Sequence, residues 1–390
     1  NKVLQALYGI SHSKDMSSFE KAVEYIHAPG LNVMYGDAEG NVAWWGAARL
    51  STHPDSLSTK LFLDGATVSA PVQQRFDKNP RTINPPWGYV YSANNQPDSS
   101  QYGIIPGYYL PENRARRIES LLEPRDDWDR DAVMEMITDV TSVVNPEIVS
   151  SLARALPEQN FEAGAQQMLE ALKAWDGTAD LESKEAVLFH RWVYEFLRAT
   201  FKDELGADGF ESLLSTHLMK RLISPMSRKA ESVWWDDIRT PEVVEQREDI
   251  ILKSFDAAVA SIQSDFGDYQ GEWGWKDVHS LEFNHPFGRV ESLRSYFNVG
   301  PFPVNGTREV INNLSFPYDS TGFYKVNVGP STRRVIDFSD IESSMSILPT
   351  GQSGNPFSPH YDDQVQLYLE GKFRKMLLNQ EEIQENSNSI

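Results

Sequence analysis

The sequence predicts a protein of the α+β class, in which a sheet-forming body is interrupted by a long helical region. Three observations lead to this prediction. Short strand-like runs precede residue 125, residues 125–265 show mostly helical periodicity, and strand patterns return after residue 266. No segment repeats another. We therefore expect one body whose sheet is completed by distant segments, with a helical insertion between them.

This pattern divides the chain into three parts. Residues 1–124 are predicted to form the first part of the body, residues 125–265 the mostly helical insertion, and residues 266–390 the returning strands and a C-terminal helix of the same body. A chain of 390 residues is long enough for such an arrangement, or for two or more average domains.

The first part begins with a short amphipathic helix and a hairpin. Residues 19–27 carry apolar side chains at helical spacing, and Ser17 or Ser18 is a suitable N-cap. Residues 31–35 and 41–47 then alternate around an Asp-Ala-Glu-Gly turn, which predicts two antiparallel strands. The two tryptophans of the second strand fit a sheet face or core better than a ligand platform.

The stretch TINPPWGYVYSANNQP, residues 82–97, contains the first candidate site. Prolines at its start indicate a turn, and residues 87–93 are predicted to form a short aromatic strand. Asn94 and Asn95 follow directly. Two carboxamides at a strand end can donate N–H groups to a developing oxyanion, or they can be ordinary turn residues. From this stretch alone, the turn interpretation is favoured.

A helix is predicted to begin near Glu112, with Arg114, Arg116 and Arg117 in its first turns. Cations at a helix N-terminus oppose the macrodipole by about 0.3–1 kcal/mol each. We therefore expect an acidic or functional group to compensate at least one of them. The remaining predicted helices span residues 129–140, 146–155, 160–174, 183–202, 209–222, 241–262 and 361–378, before a polar, frayed tail. The remaining predicted strands span residues 60–63, 294–299, 308–312, 323–328, 335–337 and 344–348.

Composition excludes several classes of function. A net charge of −20 argues against a nucleic-acid partner, because such affinity comes largely from Lys and Arg. The same charge favours a well-solvated periplasmic or secreted protein. The absence of cysteine excludes disulfides, thiolate zinc sites and a cysteine nucleophile within these residues. No apolar run approaches the roughly 18–20 residues needed to span a bilayer.

Common catalytic patterns are absent from the sequence. His279, His285 and His360 lack the spacing of a zinc site, so we expect no metal ligands here. The Gly-Gln-Ser-Gly run at residues 351–354 lacks the spacing of a Gly-x-Ser-x-Gly nucleophile elbow and fits a tight loop instead. No pair of carboxylates stands out among the 56 acidic residues.

Several longer motifs, taken in order, are more specific than any single residue. The strongest is LPTGQSGNPFSPHYDDQVQLYLEGKF at residues 348–373. The others lie at residues 36–42, 84–95, 112–114, 275–279 and 329–331. With these motifs the chain resembles the penicillin acylase family of N-terminal-nucleophile hydrolases over nearly its full length.

The resemblance implies an αββα sandwich with an attached helical region, made from a precursor that is cut into two chains. It implies a catalytic serine at the new N-terminus of the larger chain, with its own α-amine acting as the base. The asparagine whose side chain stabilises the oxyanion in this family corresponds to Asn94. The arginine that supports that site electrostatically corresponds to Arg114.

The resemblance also implies partners. Asn1 has no nucleophilic hydroxyl, so we expect the nucleophile and the small chain upstream, with these residues forming the C-terminal part of the large chain and being inactive alone. Leu31 and Asn32 would belong to the acyl-pocket wall, with residues 8–10 beside them. No cofactor is required. The calcium ion that the family often binds would take its ligands mainly from outside this sequence.

The function implied is hydrolysis of the amide in an N-acylated amine, such as a β-lactam side chain or an acyl-homoserine lactone. The alternative is a non-catalytic binding or structural protein on the same scaffold. A carbohydrate-binding protein is a third possibility, but the tryptophan and tyrosine residues are scattered and form no regular array.

Overall fold

The computed structural model describes residues 2–52, 61–62, 64–66, 72–73, 75–97, 105, 107, 109–157 and 161–387. The chain forms two compact units. The first unit comprises Asn1–Leu110 and Phe338–Ile341, and the second comprises Pro111–Asp337 and Glu342–Ile390. The three-part division predicted from the sequence stays a prediction.

The first unit combines two helices with short strands. Its elements are α1 (Val3–Ser11), α2 (Met16–Val23), β1 (Leu31–Gly36), β2 (Val42–Ala47), β3 (Ser51–Thr52), β4 (Val72–Gln73) and β5 (Arg81–Ile83). Strands β1, β2 and β5 form an antiparallel sheet in that order, and β3 pairs with β4. The predicted hairpin is therefore confirmed. Asp37 stabilises its turn, because its carboxylate accepts hydrogen bonds from the N–H groups of Glu39 and Asn41, each at 3.0 Å.

One face of the β1–β2 hairpin packs on the helices. Ala43, Trp45 and Ala47 are buried, as the alternation of a strand requires, and they form a small core with side chains of α1 and α2. Trp44 lies on the opposite face. The prediction that the two tryptophans belong to a sheet face or core is confirmed.

Three predictions for the first unit are wrong in detail. The predicted helix 19–27 begins earlier, because Asp15 and not a serine at 17 or 18 is the N-cap, with its carboxylate accepting the Ser18 N–H at 2.7 Å. Residues 87–93 form no strand, since Gly88 has φ 81° and its N–H bonds to the Pro85 carbonyl. The predicted strand 60–63 is not formed at its two described residues, 61 and 62, and its ends lie outside the described residues.

The second unit is mostly helical. Its helices are α3 (Asn113–Leu122), α4 (Arg130–Ile137), α5 (Asn145–Ala153), α6 (Ala163–Ala174), α7 (Lys184–Leu214), α8 (His217–Arg228), α9 (Arg247–Phe266), α10 (Glu291–Phe297), α11 (Val365–Leu369) and α12 (Gln380–Asn386). Its strands are β6 (His279–Phe283), β7 (Val299–Pro303), β8 (Tyr324–Lys325), β9 (Arg333–Val335), β10 (Met345–Ile347) and β11 (Arg374–Lys375). They form two three-stranded sheets, in the orders β7-β6-β8 and β11-β10-β9.

The main core of the second unit lies around α7. This helix buries side chains on nearly all sides, including Trp192 and Phe196, and packs against α6, α8 and α9. A helix that buries side chains on most of its faces belongs in the centre of a protein. A second, smaller core lies on the sheets and includes Leu281 and Ile347.

Several predicted elements of the second unit change type or boundary. The predicted helix 209–222 is split, because Thr216 is the N-cap of a new helix. The predicted strand 294–299 is mostly α10, since a short alternating run fits a helix face equally well. Residues 308–312 form turns and not a strand.

The C-terminal segment also differs from its prediction. The helix predicted at 361–378 is confined to α11, because Gly371, with φ 69°, ends it in a left-handed conformation. The tail predicted to be frayed contains α12, which Asn379 caps through its side chain. None of the helices in the described part of the chain is both long and apolar enough to cross a membrane.

Candidate active site

Asn94 lies in an irregular segment of the first unit and has a left-handed backbone, with φ 61°. Asparagine is one of the few residues besides glycine that adopt this conformation readily. The Asn94 carbonyl oxygen accepts a hydrogen bond from the Leu110 N–H at 3.0 Å, and the preceding Ala93 is buried. This hydrogen bond and the burial of Ala93 therefore constrain the backbone at Asn94.

Asn95 has a different environment. Its carboxamide oxygen accepts a hydrogen bond from the Ala93 N–H at 3.2 Å, so this side chain closes a local turn. The turn interpretation thus applies to Asn95. Asn94 stays the candidate oxyanion donor.

Leu31 and Asn32 begin β1, which is the outer strand of the order β1-β2-β5 within the described residues. The Leu31 side chain is exposed, opposite Ala47 on β2. The Asn32 carboxamide oxygen accepts a hydrogen bond from the indole N–H of Trp44 at 3.0 Å. The pair offers one apolar and one amide side chain on this outer strand, and its role in a pocket wall stays a prediction.

Arg114 lies in the first turn of α3, in the second unit, and is partly buried. Burial lowers the pKa of its guanidinium, while the negative charge of Glu309 acts in the opposite direction. Asn94 and Arg114 thus belong to different units, and their action together stays a prediction.

The other two arginines of α3 have carboxylate partners. Arg116 makes two hydrogen bonds to Glu147, at 3.0 and 2.6 Å, and Arg117 makes two to Asp139, at the same two distances. The expectation that acidic groups compensate these cations is confirmed. Both pairs hold α3 onto the helical core and need no catalytic explanation.

The sequence did not predict the involvement of Glu309. This residue has φ 60°, and its carboxylate forms an ion pair with Lys220 of α8, with 2.7 Å between Nζ and Oε1. Both side chains are largely buried. The sequence does contain a signal against a strand at residues 308–312. Gly306 and Asn312 favour turns, and the two charged residues between them fit a buried strand poorly.

Two of the three histidines considered from the sequence have local structural partners. His279 is buried and stacks on Trp275 at 4.7 Å between ring centroids, whereas His360 is exposed and pairs with Asp363 at 3.1 Å. Among the described residues, no three His, Asp or Glu side chains are grouped so that they could hold a metal ion.

Comparison with known proteins identifies relatives over most of the sequence. A model of the family described as penicillin amidase matches residues 1–385. The acyl-homoserine lactone acylase QuiP of Pseudomonas aeruginosa is 25% identical over 420 residues, which cover 96% of this chain and 47% of that protein. The penicillin acylase 2 proenzyme of a Pseudomonas species is 27% identical over 296 residues, covering 73% of this chain and 36% of that protein. The chain thus spans about half the length of the curated acyl-homoserine lactone acylases that it matches.

Among solved structures, a thermostable penicillin G acylase from Alcaligenes faecalis matches with a TM-score of 0.65. The match covers 99% of this chain and 72% of that chain, at 18% sequence identity. This similarity shows a shared fold, and it confirms the predicted class, an α+β fold of the N-terminal-nucleophile hydrolase type.

Proposed function

The chain belongs to the penicillin amidase family, and from this premise we propose that it is part of an amidohydrolase that cleaves N-acylated amines. The match of the family to residues 1–385 carries the proposal. Relatives that match nearly the whole chain are named acyl-homoserine lactone acylases, and one that matches a shorter part is named a penicillin acylase. Both names describe hydrolysis of an amide between an acyl group and an amine.

In the proposed reaction, a serine hydroxyl from a part of the protein outside these 390 residues attacks the amide carbonyl. Its α-amino group takes the hydroxyl proton and passes a proton to the leaving amine as the C–N bond breaks. Water then hydrolyses the acyl-enzyme and releases the carboxylic acid. No cofactor takes part in this sequence, and a calcium ion, where one is bound, takes its ligands mainly from outside these residues.

The residues of this chain would supply transition-state stabilisation and part of the pocket. Asn94 would donate its carboxamide N–H to the oxyanion, and Arg114 would add a positive charge near it. The constrained backbone of Asn94 supports this role, because a fixed donor needs no reorganisation during the reaction. Leu31 and Asn32 would contact the acyl group.

We further propose that the complete protein is made as a precursor, is processed into two chains and works in the periplasm or outside the cell. One relative is named a proenzyme, which supports a precursor for that protein. The net charge of −20 suits an exported, well-solvated protein.

The experiment that tests the proposal is a substrate panel on the complete purified protein. Acyl-homoserine lactones of increasing chain length and a phenylacetyl amide are incubated with it, and the released amine is measured. Intact mass and N-terminal sequencing of both chains identify the processed form. We expect turnover of at least one amide and a Ser, Thr or Cys at one new N-terminus. A folded protein that binds these amides without turning any of them over would favour the non-catalytic alternative.

A further inference from the structure

The second unit contains a small cavity beside α3, α5 and α8, with a volume of about 40 Å³. One water molecule needs roughly 10–15 Å³ of such space, so the cavity accommodates a group of a few heavy atoms. Its polar lining consists mainly of Asn113, Asn145, Lys220, Arg308 and Glu309.

Arg308 is the central feature of this cavity. The residue is only 7% exposed, and its guanidinium lies 4.6 Å from the ring centroid of Tyr318 and 5.7 Å from that of Phe316. None of the residues that the structure describes forms a hydrogen bond or ion pair with it. An arginine stays protonated even when burial lowers its pKa, as it does here. A buried positive charge therefore faces the cavity.

The other ionisable groups around the cavity do not neutralise this charge. Glu309 forms an ion pair with Lys220 at 2.7 Å and also acts on the Arg308 guanidinium, so this one carboxylate faces two positive charges of the lining. His190 is buried between Tyr318 and Thr307, with a contact of 2.6 Å to each hydroxyl, and burial keeps its pKa well below the ordinary value. The ring is therefore neutral, and the lining carries one net positive charge.

Two amide side chains add hydrogen-bond donors to the lining. Asn113 and Asn145 are 8% and 4% exposed. Neither carboxamide makes a hydrogen bond within the described part of the chain. Buried amides normally have hydrogen-bond partners, so these two groups can bond to a polar molecule in the cavity. Apolar side chains of Ile148 and Phe189 complete the wall.

We propose that this cavity binds a small monocarboxylate of formate or acetate size. The guanidinium fork of Arg308 matches the two oxygens of a carboxylate, and one negative charge balances the one unpaired positive charge. Asn113 and Asn145 donate N–H groups to the same oxygens. The apolar wall suits a methyl group. The proposal concerns anion binding and not amide hydrolysis, and its test does not depend on turnover.

The test measures thermal unfolding of the complete protein in sodium acetate and, at the same concentrations, in sodium gluconate, whose anion is too large for the cavity. We expect acetate to raise Tm along a saturating curve and gluconate to leave it nearly unchanged. Arg308→Met should weaken the acetate affinity by roughly tenfold to a hundredfold, equivalent to the loss of one charge-assisted hydrogen bond. Arg198→Met is the matched control, because Arg198 pairs with Glu195 away from the cavity lining, and it should keep the response.

A second variant keeps the test decisive if Arg308→Met does not fold. Asn145→Asp is nearly isosteric and places a carboxylate on the cavity wall, so the protein supplies the anion itself and the acetate response should disappear. An equal response of the wild-type protein to acetate and gluconate would overturn the proposal. So would a normal acetate response in folded Arg308→Met or Asn145→Asp.

Discussion

A left-handed backbone distinguishes Asn94 from its neighbour Asn95. Conformations of this kind persist when the surrounding structure imposes them, and they cluster at functional sites. At Asn94 the constraint is the hydrogen bond from Leu110 and the burial of Ala93. Asn95 instead uses its side chain inside the turn. The two residues therefore differ in the role that each can have.

The first prediction concerns this pair. An oxyanion donor interacts more strongly with the transition state than with the substrate, so its loss lowers kcat more than it changes KM. Removal of one donor typically lowers kcat by about 10²–10³, or about 2.7–4 kcal/mol. We expect this loss for Asn94→Ala in the complete enzyme and a much smaller loss for Asn95→Ala. Steady-state kinetics on correctly processed variants make the comparison, and a near-normal kcat for both would reduce the pair to turn residues.

The second prediction concerns Arg114. If its charge supports the oxyanion, Arg114→Leu should lower kcat strongly, and Arg114→Lys should restore little, because a point charge does not reproduce the guanidinium fork. Arg116→Leu is the matched control on the same helix, since Arg116 pairs with Glu147. It should change stability more than kcat. Kinetics and circular dichroism together separate the two effects, and equal activity of Arg114→Leu and wild type would remove Arg114 from the site.

At the scale of elements, the pair α7 and α9 organises the second unit. Arg191 of α7 has a side chain that is 4% exposed and forms an ion pair with Asp265 of α9 at 2.6 Å. The same guanidinium donates to Ser261 of α9 and to the Gly322 carbonyl. Nearby, the indole of Trp192 donates to Ser254 at 3.0 Å. Polar contacts thus join α7 and α9 within their largely apolar interface.

The third prediction tests how much the ion pair between α7 and α9 stabilises the protein. Asp265→Asn leaves the buried Arg191 without its counter-charge and should reduce the free energy of unfolding by roughly 2–3 kcal/mol, less than for a fully buried pair because Asp265 is about one-third exposed. Glu170→Gln removes an exposed pair with Lys173 and should cost below about 1 kcal/mol. Urea unfolding of both variants measures the difference. Equal stabilities of the two variants would show that the ion pair between Arg191 and Asp265 contributes no more than an exposed pair.

Elements with local signals were predictable from the sequence, and elements set by tertiary contacts were not. The β1–β2 hairpin carries its own turn residues, and α3 was placed within one residue. The run at 294–299 has no local feature that separates a strand from a helix, and the fold makes it mostly α10. Residues 87–93 have strand composition, yet the turn at Gly88 overrides it.

At the scale of the whole molecule, the candidate site could be named from the sequence only through the order of long motifs. Asn94 and Arg114 lie in different units, so the periodicity of a single helix or strand cannot predict that they act together. The cavity around Arg308 could not be predicted, because its polar side chains come from α3, α5, α8 and a turn near residue 308. Neighbourhoods of this kind exist only in the folded chain.

The buried histidines link the stability of the whole molecule to pH. His279 is fully buried against Trp275, and burial lowers its pKa from 6.5 to about 4. Burial lowers the pKa of His190 in the same direction. In the unfolded chain both rings titrate near pH 6.5. Below that pH the unfolded state binds more protons than the folded state, so stability falls as the pH falls.

The last prediction follows from this fall in stability at low pH. For His279 alone, the free energy of unfolding should fall by up to about 1.4 kcal/mol per pH unit between pH 6.5 and about 4, roughly 3 kcal/mol in total, and should level off below pH 4. Urea unfolding of wild type and His279→Gln across this range measures it. The glutamine cannot titrate, so the difference between the two proteins should shrink as the pH falls. Carboxylates titrate in both proteins and cancel in that difference. If His279→Gln stays parallel to wild type down to pH 4, the His279 ring is not held neutral in the folded protein.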